Sequence, residues 1–253
     1  MSVALARTEH DSGGDAPPLL IAHGLFGSAR NWGVIARRLS DRGPVTAVDM
    51  RNHGNSPWAD SHGYADLAED LAAIAGPGWD VLGHSMGGKA AMMLALTRPG
   101  KVRRLIVADI APAAYGHSQS HLIAAMRALD LKGIASRSEA DDRLAPLVPD
   151  ATTRAFLLQS LDIKGRCWRL NLDLLDREMD IVTGWPGHDG RFEGPTLFLT
   201  GAESDYVKPE HREHIRELFP KARFARIPGA GHWLHAQKPR EFEASVRVFL
   251  EAN

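Results

Sequence analysis

The chain has 253 residues, enough for one large α/β domain or two small ones with a substantial buried core. Lys and Arg total 30 and Asp and Glu 31, a formal net charge of -1 with no block of like charges, so no nucleic-acid or anionic-membrane partner is indicated. Cys167 is the only cysteine, which rules out an internal disulfide, and there is no secretory-type leader in "MSVALARTEH" or apolar run long enough to span a membrane; a cytoplasmic protein is expected.

Residues 2–8 alternate loosely and "DSGGDAPP" (11–18) is a polar turn, which together suggest an opening hairpin. "LLIAHG" (19–24) is a short apolar run halted by Gly24, as in a buried strand. Residues 30–39 present Trp32, Ile35, Ala36 and Leu39 on one helical face, and "GPVTAVDM" (43–50) is strand-like. The turn-rich "RNHGNSP" (51–57) precedes a helix over 64–75 that "GPG" stops. "WDVLGH" (79–84), "MGGKAAMMLALT" (86–97) and "VRRLIVADI" (102–110) read as strand, helix and strand. This alternation from 19 to 110 implies a parallel sheet with helices on both faces, the α/β class, with functional residues at the C-terminal ends of strands.

Residues 111–194 break the alternation: no strand is evident, and 120–131, 150–163 and 171–182 read as helices, the second capped by Asp150. Strand and helix then alternate again over 194–201, 209–218, 222–232 and 239–251. The division expected is a core of residues 1–110 and 195–253, with 111–194 inserted between two strands.

"GHSMGG" (83–88) joins a strand to a helix through Gly-x-Ser-x-Gly. A serine nucleophile needs a sharp, strained turn to present its Oγ, and flanking glycines let the helix pass close to the strand; Gly83 and Gly87 fill those places. Ser85 is the candidate nucleophile. A hydroxyl needs a base, and His232 in "GAGHW", after the last strand, completes the order serine, acid, histidine. His235 is read as structural. The oxyanion hole needs the amide after the nucleophile, Met86, and one from the loop "HGLFG" (23–27), assigned to Leu25 with Phe26 as the alternative. His23 is read as bracing that loop. Two carboxylates at strand ends, Asp109 and Asp205, could serve as the acid, and Glu203 is a weaker third; the residues alone leave the choice open.

"HGLFGSARNW", "DMRNHGNSP", "GHSMGG", "VADIAP", "GAESDYV" and "GAGHW", in this order from about residue 19 to the C-terminus, resemble the α/β-hydrolase fold superfamily, and more narrowly the YbfF-type bacterial esterases and the ABHD11-like hydrolases. The resemblance implies an eight-stranded, mostly parallel sheet with a helical cap after the sixth strand, matching 111–194. It also implies hydrolysis of carboxylic esters, usually of short acyl chains and sometimes thioesters, with no cofactor and no metal. Some of these relatives lack an acid at the position of Asp205, so the resemblance favours Asp109, although this chain has aspartate at both places.

The expected chemistry is two-step acyl transfer on a small-molecule ester by a monomer or homodimer, with Phe26, Trp58, Tyr206 and Trp233 lining the pocket and Trp168 and Trp185 contributed by the inserted helices. Arg51, Asn52 and His53 read as loop scaffolding, or else as a basic group for an anionic substrate. The rival readings are a C–C bond hydrolase, perhydrolase or acyltransferase on the same triad, or a non-catalytic binding protein of the same fold. A metal enzyme is disfavoured: His211 with His214, and His117 with His121, lack a His-Glu-x-x-His signature.

Overall fold

The computed structural model describes residues 2–252. Met1 and Asn253, the outer ends of the two core ranges, lie outside them. In chain order the elements are β1 (Arg7–His10), β2 (Leu19–Ala22), α1 (Gly33–Leu39), β3 (Val45–Val48), α2 (Tyr64–Ile74), β4 (Trp79–His84), α3 (Met86–Thr97) and β5 (Val102–Ala108). Then follow α4 (Ser120–Ala128), α5 (Arg137–Leu144), α6 (Ala151–Leu157), β6 (Leu161–Asp162), β7 (Cys167–Trp168), α7 (Leu172–Arg177) and α8 (Met179–Thr183). The chain closes with β8 (Thr196–Gly201), α9 (His211–Leu218), β9 (Ala222–Ile227), α10 (Leu234–Gln237) and α11 (Pro239–Glu251).

The main sheet runs β1-β3-β2-β4-β5-β8-β9, parallel throughout except at β1, which is antiparallel to β3. Alternate strand residues feed two cores, as the period of two requires. Leu20, Ala22, Val81, Leu105 and Val107 pack on the side of α2 and α3, and Leu19, Ile21, Leu82 and Ile106 on the side of α1 and α11. Both faces are covered, which is why the central strands are apolar runs with no polar alternation.

The opening hairpin does not form. β3 and β4 occupy both edges of β2, so β1 pairs with β3 instead. Upstream of β1 the backbone is satisfied by side chains: Val3 N–H donates to Asp70 Oδ1 at 2.7 Å and Ala6 N–H to Ser56 Oγ at 2.8 Å. No further N-terminal strand is needed to meet those donors, and the sheet has seven strands among the described residues where eight were expected. The inserted segment accordingly follows the fifth strand, β5, and not a sixth.

That segment differs in detail from the sequence reading. The helix expected over 150–163 stops at Leu157, and the chain turns into the short antiparallel pair β6–β7, Leu161 opposite Trp168. The helix expected over 171–182 is two, α7 and α8, broken at Glu178. α5 was not expected; Ser136 caps it by accepting from Glu139 N–H. Asp150 caps α6 as expected, accepting from Thr153 N–H at 2.7 Å.

The loop after β3 fixes the loop after β2. Asp49 accepts from Ala29 N–H at 2.7 Å and Asn55 N–H at 2.8 Å. His23 accepts from Met50 N–H at 2.9 Å and donates to Gly24 O at 2.7 Å; His53 accepts from Phe26 N–H at 3.1 Å and donates to Arg51 O at 2.9 Å. Both imidazoles are buried, and burial pulls their pKa down from 6.5 to about 4 for His23 and about 3 for His53. Arg51 is buried and pairs with Asp70 through two contacts of 2.6 and 2.8 Å, so it faces α2 as scaffolding.

Two stability predictions follow from these buried groups. Asp70→Ala leaves the buried Arg51 guanidinium short of its main carboxylate and should cost about 3–5 kcal/mol in urea unfolding. Folding holds His23 and His53 neutral, so their contribution is complete above pH 6.5 and is lost as pH falls through about 4 and then about 3. The urea midpoint should therefore fall steadily as pH is lowered from about 7 to about 4.5, and a flat profile would contradict the neutral-imidazole account.

Candidate active site

Ser85 sits at the junction of β4 and α3 with φ 53° and ψ −121°, a region closed to most non-glycine residues. The turn depends on contacts that only glycine permits. A Cβ on Gly83 would lie 2.1 Å from Gly87 O, and one on Gly87 would lie 2.4 Å from both Ala22 O and His23 O. Helix and strands thus touch backbone to backbone, and Ser85 is pushed out at the strand end. Phe26 (φ 63°) and Asp109 (φ 53°) are also left-handed non-glycine residues, so three strained positions converge here.

His232, in the loop after β9, places Nε2 3.0 Å from Ser85 Oγ and Nδ1 2.8 Å from Asp109 Oδ2. Asp109 is fully buried and also accepts from Gly201 N–H at 3.0 Å and Ser204 Oγ–H at 2.5 Å. Asp205 is exposed, as is Glu203; neither is hydrogen-bonded to His232 among the described residues. The structure therefore brings Ser85, His232 and Asp109 together and leaves Asp205 outside.

Three supports were not read from the sequence. Ser204, beside Asp205, hydrogen-bonds Asp109; nothing in its spacing marked it. His84 Nε2–H donates to the carbonyl of His232 at 2.8 Å, which gives a role to the residue preceding the serine. The Tyr206 ring stacks on His232 with centroids 3.9 Å apart and planes at 18°. Burial pushes the Tyr206 hydroxyl up to about 12. His235, read as structural, is buried and stacks on Trp32 with ring centroids 4.3 Å apart.

Met86, as the first residue of α3, has no intrahelical acceptor for its N–H, and Leu25 N–H has no protein acceptor among the described residues. Phe26 N–H is taken by His53, which removes it as the alternative donor. The loop of Leu25 and Phe26 is also held from the inserted segment: Ser160 Oγ–H donates to Phe26 O at 2.7 Å.

A cavity of about 370 Å³ opens over Ser85 and His232. Phe26, Tyr206 and Trp233 line it, together with Lys89, Tyr115 and Phe156. Trp58 does not: it is 60 % exposed, because the loop bearing it is pinned from behind, Asn52 Oδ1 accepting from Ala59 N–H at 2.9 Å, and its ring faces outward. Trp168 and Trp185 do not line it either; Trp168 donates to Met126 O at 2.8 Å inside the inserted segment, and Trp185 packs near Tyr64. Of the histidine pairs, His117 bonds the Tyr206 hydroxyl at 3.0 Å and His214 bonds Glu217 at 3.0 Å. No helix among the described residues is long and apolar enough to cross a membrane.

Residues 17–239 match the α/β hydrolase fold family. The chain is 42% identical to a mouse protein named sn-1-specific diacylglycerol lipase ABHD11, over 94% of this chain and 82% of the relative. It is 35% identical to the Escherichia coli esterase YbfF, over 97% of this chain and 96% of that one. The solved structure of a marine microorganism esterase is 37% identical and superposes with a TM-score of 0.91, covering 98% of this chain and 99% of the other. The chain belongs to the α/β hydrolase fold family, among its esterase- and lipase-type members.

Proposed function

We propose that this carboxylic ester hydrolase works through a Ser85–His232–Asp109 triad and an acyl-enzyme. The observation that carries the reading is the continuous hydrogen-bond path from Asp109 Oδ2 to His232 Nδ1 at 2.8 Å and from His232 Nε2 to Ser85 Oγ at 3.0 Å. Asp109 holds the imidazole with its proton on Nδ1, leaving Nε2 free to take the serine proton. Ser85 Oγ attacks the ester carbonyl, and the oxyanion rests on the N–H groups of Leu25 and Met86. His232 then protonates the departing alcohol. In the second step it takes a proton from water, whose oxygen attacks the acyl carbon and releases the acid and free Ser85.

Residues 111–194 act in this reading as a cap over a core of 1–110 and 195–253, and the cavity between them sets acyl length. Its 370 Å³ and aromatic lining suit short acyl chains, on oxygen or thioesters. Ser204 positions Asp109, and His84 and Tyr206 position His232.

A series of p-nitrophenyl esters tests the assignment. Ser85→Ala should lose at least about 10⁴-fold in kcat and no longer react with a fluorophosphonate probe that labels the wild type. Asp109→Asn should lose about 10³- to 10⁴-fold and Asp205→Asn less than about threefold; the reverse ranking would move the acid to Asp205. Ser204→Ala should lower kcat about tenfold with little change in KM, as expected for a hydrogen bond to the acid worth about 1.4 kcal/mol. A wild type that neither hydrolyses these esters nor takes up the probe would end the proposal.

A further inference from the structure

Lys89 is a buried amine that the proposed mechanism does not use. It stands one helical turn after Ser85 in α3, its N–H donating to Ser85 O at 3.0 Å, and it lines the same cavity as Ser85. Residues at i and i+4 share a helix face, and helical side chains lean back toward the N-terminus, so the lysine stem runs toward the level of the serine.

The side chain is only 1 % exposed, yet it forms no ion pair among the described residues. Buried lysines are as a rule paired with a carboxylate, because an unmatched charge costs several kcal/mol to desolvate. Here the ammonium donates to two carbonyls of the inserted segment, Thr183 O at 2.9 Å and Gly184 O at 2.5 Å. It also faces the rings of Tyr115 at 4.7 Å and Tyr64 at 5.6 Å. Dipoles and ring faces offset part of the desolvation, but burial still pulls the amine from 10.5 to about 7. An ammonium carries three N–H donors, so one is left without a protein acceptor beside the substrate cavity.

We propose that Lys89 is a specificity-determining residue that receives a carboxylate of the substrate, so that the cavity favours esters carrying an acidic group over neutral esters of equal length. The inference rests on the esterase reading of Ser85. The acidic group would meet an amine already desolvated and held in place, would favour its protonated form, and would supply the carboxylate partner that the fold omits. Ser85 caps α3 and Lys89 stands in its first turn, both on the same cavity, so compact half-esters of dicarboxylic acids of four or five carbons are the substrates to compare.

The test compares kcat/KM for substrates matched in shape. On the acyl side the pairs are mono-p-nitrophenyl succinate against p-nitrophenyl butyrate, and mono-p-nitrophenyl glutarate against p-nitrophenyl pentanoate. On the alcohol side the pair is 4-carboxyphenyl butyrate against p-tolyl butyrate. In one arm the ratio of acidic to neutral ester should be about 10- to 100-fold higher in wild type than in Lys89→Met, the range of a charge-assisted hydrogen bond, and Lys89→Arg should keep part of it. The arm that responds identifies which half of the ester carries the acid. Glutarate should also inhibit wild-type butyrate hydrolysis competitively while glutaramide does not, a readout that survives if the Lys89 variants fail to fold. Neutral esters turned over with no acidic preference in either arm, an unchanged ratio in Lys89→Met, or no inhibition by glutarate would overturn this inference and leave the triad standing. Failure to hydrolyse any ester, with Ser85 unlabelled by a fluorophosphonate, would instead overturn the esterase reading and this inference with it.

Discussion

The site depends on a contact between backbones. Gly83 and Gly87 allow β4, α3 and the end of β2 to meet at distances that no Cβ could occupy. That approach forces Ser85 into its left-handed conformation and aims the start of α3 at the cavity. The Met86 amide is free because it opens the helix, and it is near the serine because the turn is so tight. Gly24 extends the same constraint to the neighbouring loop: a Cβ there would lie 2.9 Å from His84 Nδ1 and 3.1 Å from Ser85 Cβ. Strain at Ser85 persists because the two packed cores on either side of the sheet leave the backbone no alternative path.

The imidazole of His232 is held by a different kind of contact. It lies in a loop, not a strand or helix, so its position has to be imposed from outside. Asp109 holds one ring nitrogen, His84 holds the backbone carbonyl, and Tyr206 covers one ring face. His84 is itself fixed by being the last residue of β4, immediately before Ser85. The residue that precedes the proposed nucleophile therefore positions the loop of the proposed base, and the two ends of the proton path share one strand end.

The sequence made these relations legible where local chemistry decides them. The glycine spacing around Ser85 and the apolar 86–97 run point to a tight strand-to-helix junction, and α3 spans those residues. α5 escaped because periodicity is silent in a polar helix with only Ala140 and Leu144 buried, although its Ser136–Glu139 cap was in view. Asp109 and Asp205 look alike as strand-end aspartates; what separates them is the left-handed turn at Asp109, which keeps that carboxylate buried under β8 while Asp205 faces solvent. Nothing around Asp109 marks its positive φ in the sequence as the flanking glycines mark that of Ser85. Trp58 shows the opposite limit: aromatic character suggests burial, but the pinned loop decides which way the ring points.

Among the ties between the inserted segment and the core, two adjoin the proposed chemistry. In the first, Ser160 from the middle of the segment holds Phe26 O, beside the Leu25 amide. In the second, the last carbonyls of α8 and its C-cap are met by the core: Tyr64 Oη–H donates to Val182 O at 2.5 Å and Lys89 donates to Thr183 O and Gly184 O. A cation at a helix C-terminus is favoured by the helix dipole, which helps explain how Lys89 is tolerated without a carboxylate. The same two hydrogen bonds join the proposed cap to the helix that follows the proposed nucleophile. In the proposed reading, a group that entered the cavity and drew the Lys89 amine toward itself would act on the cap through these two carbonyls, so substrate choice and cap position would meet at a single side chain.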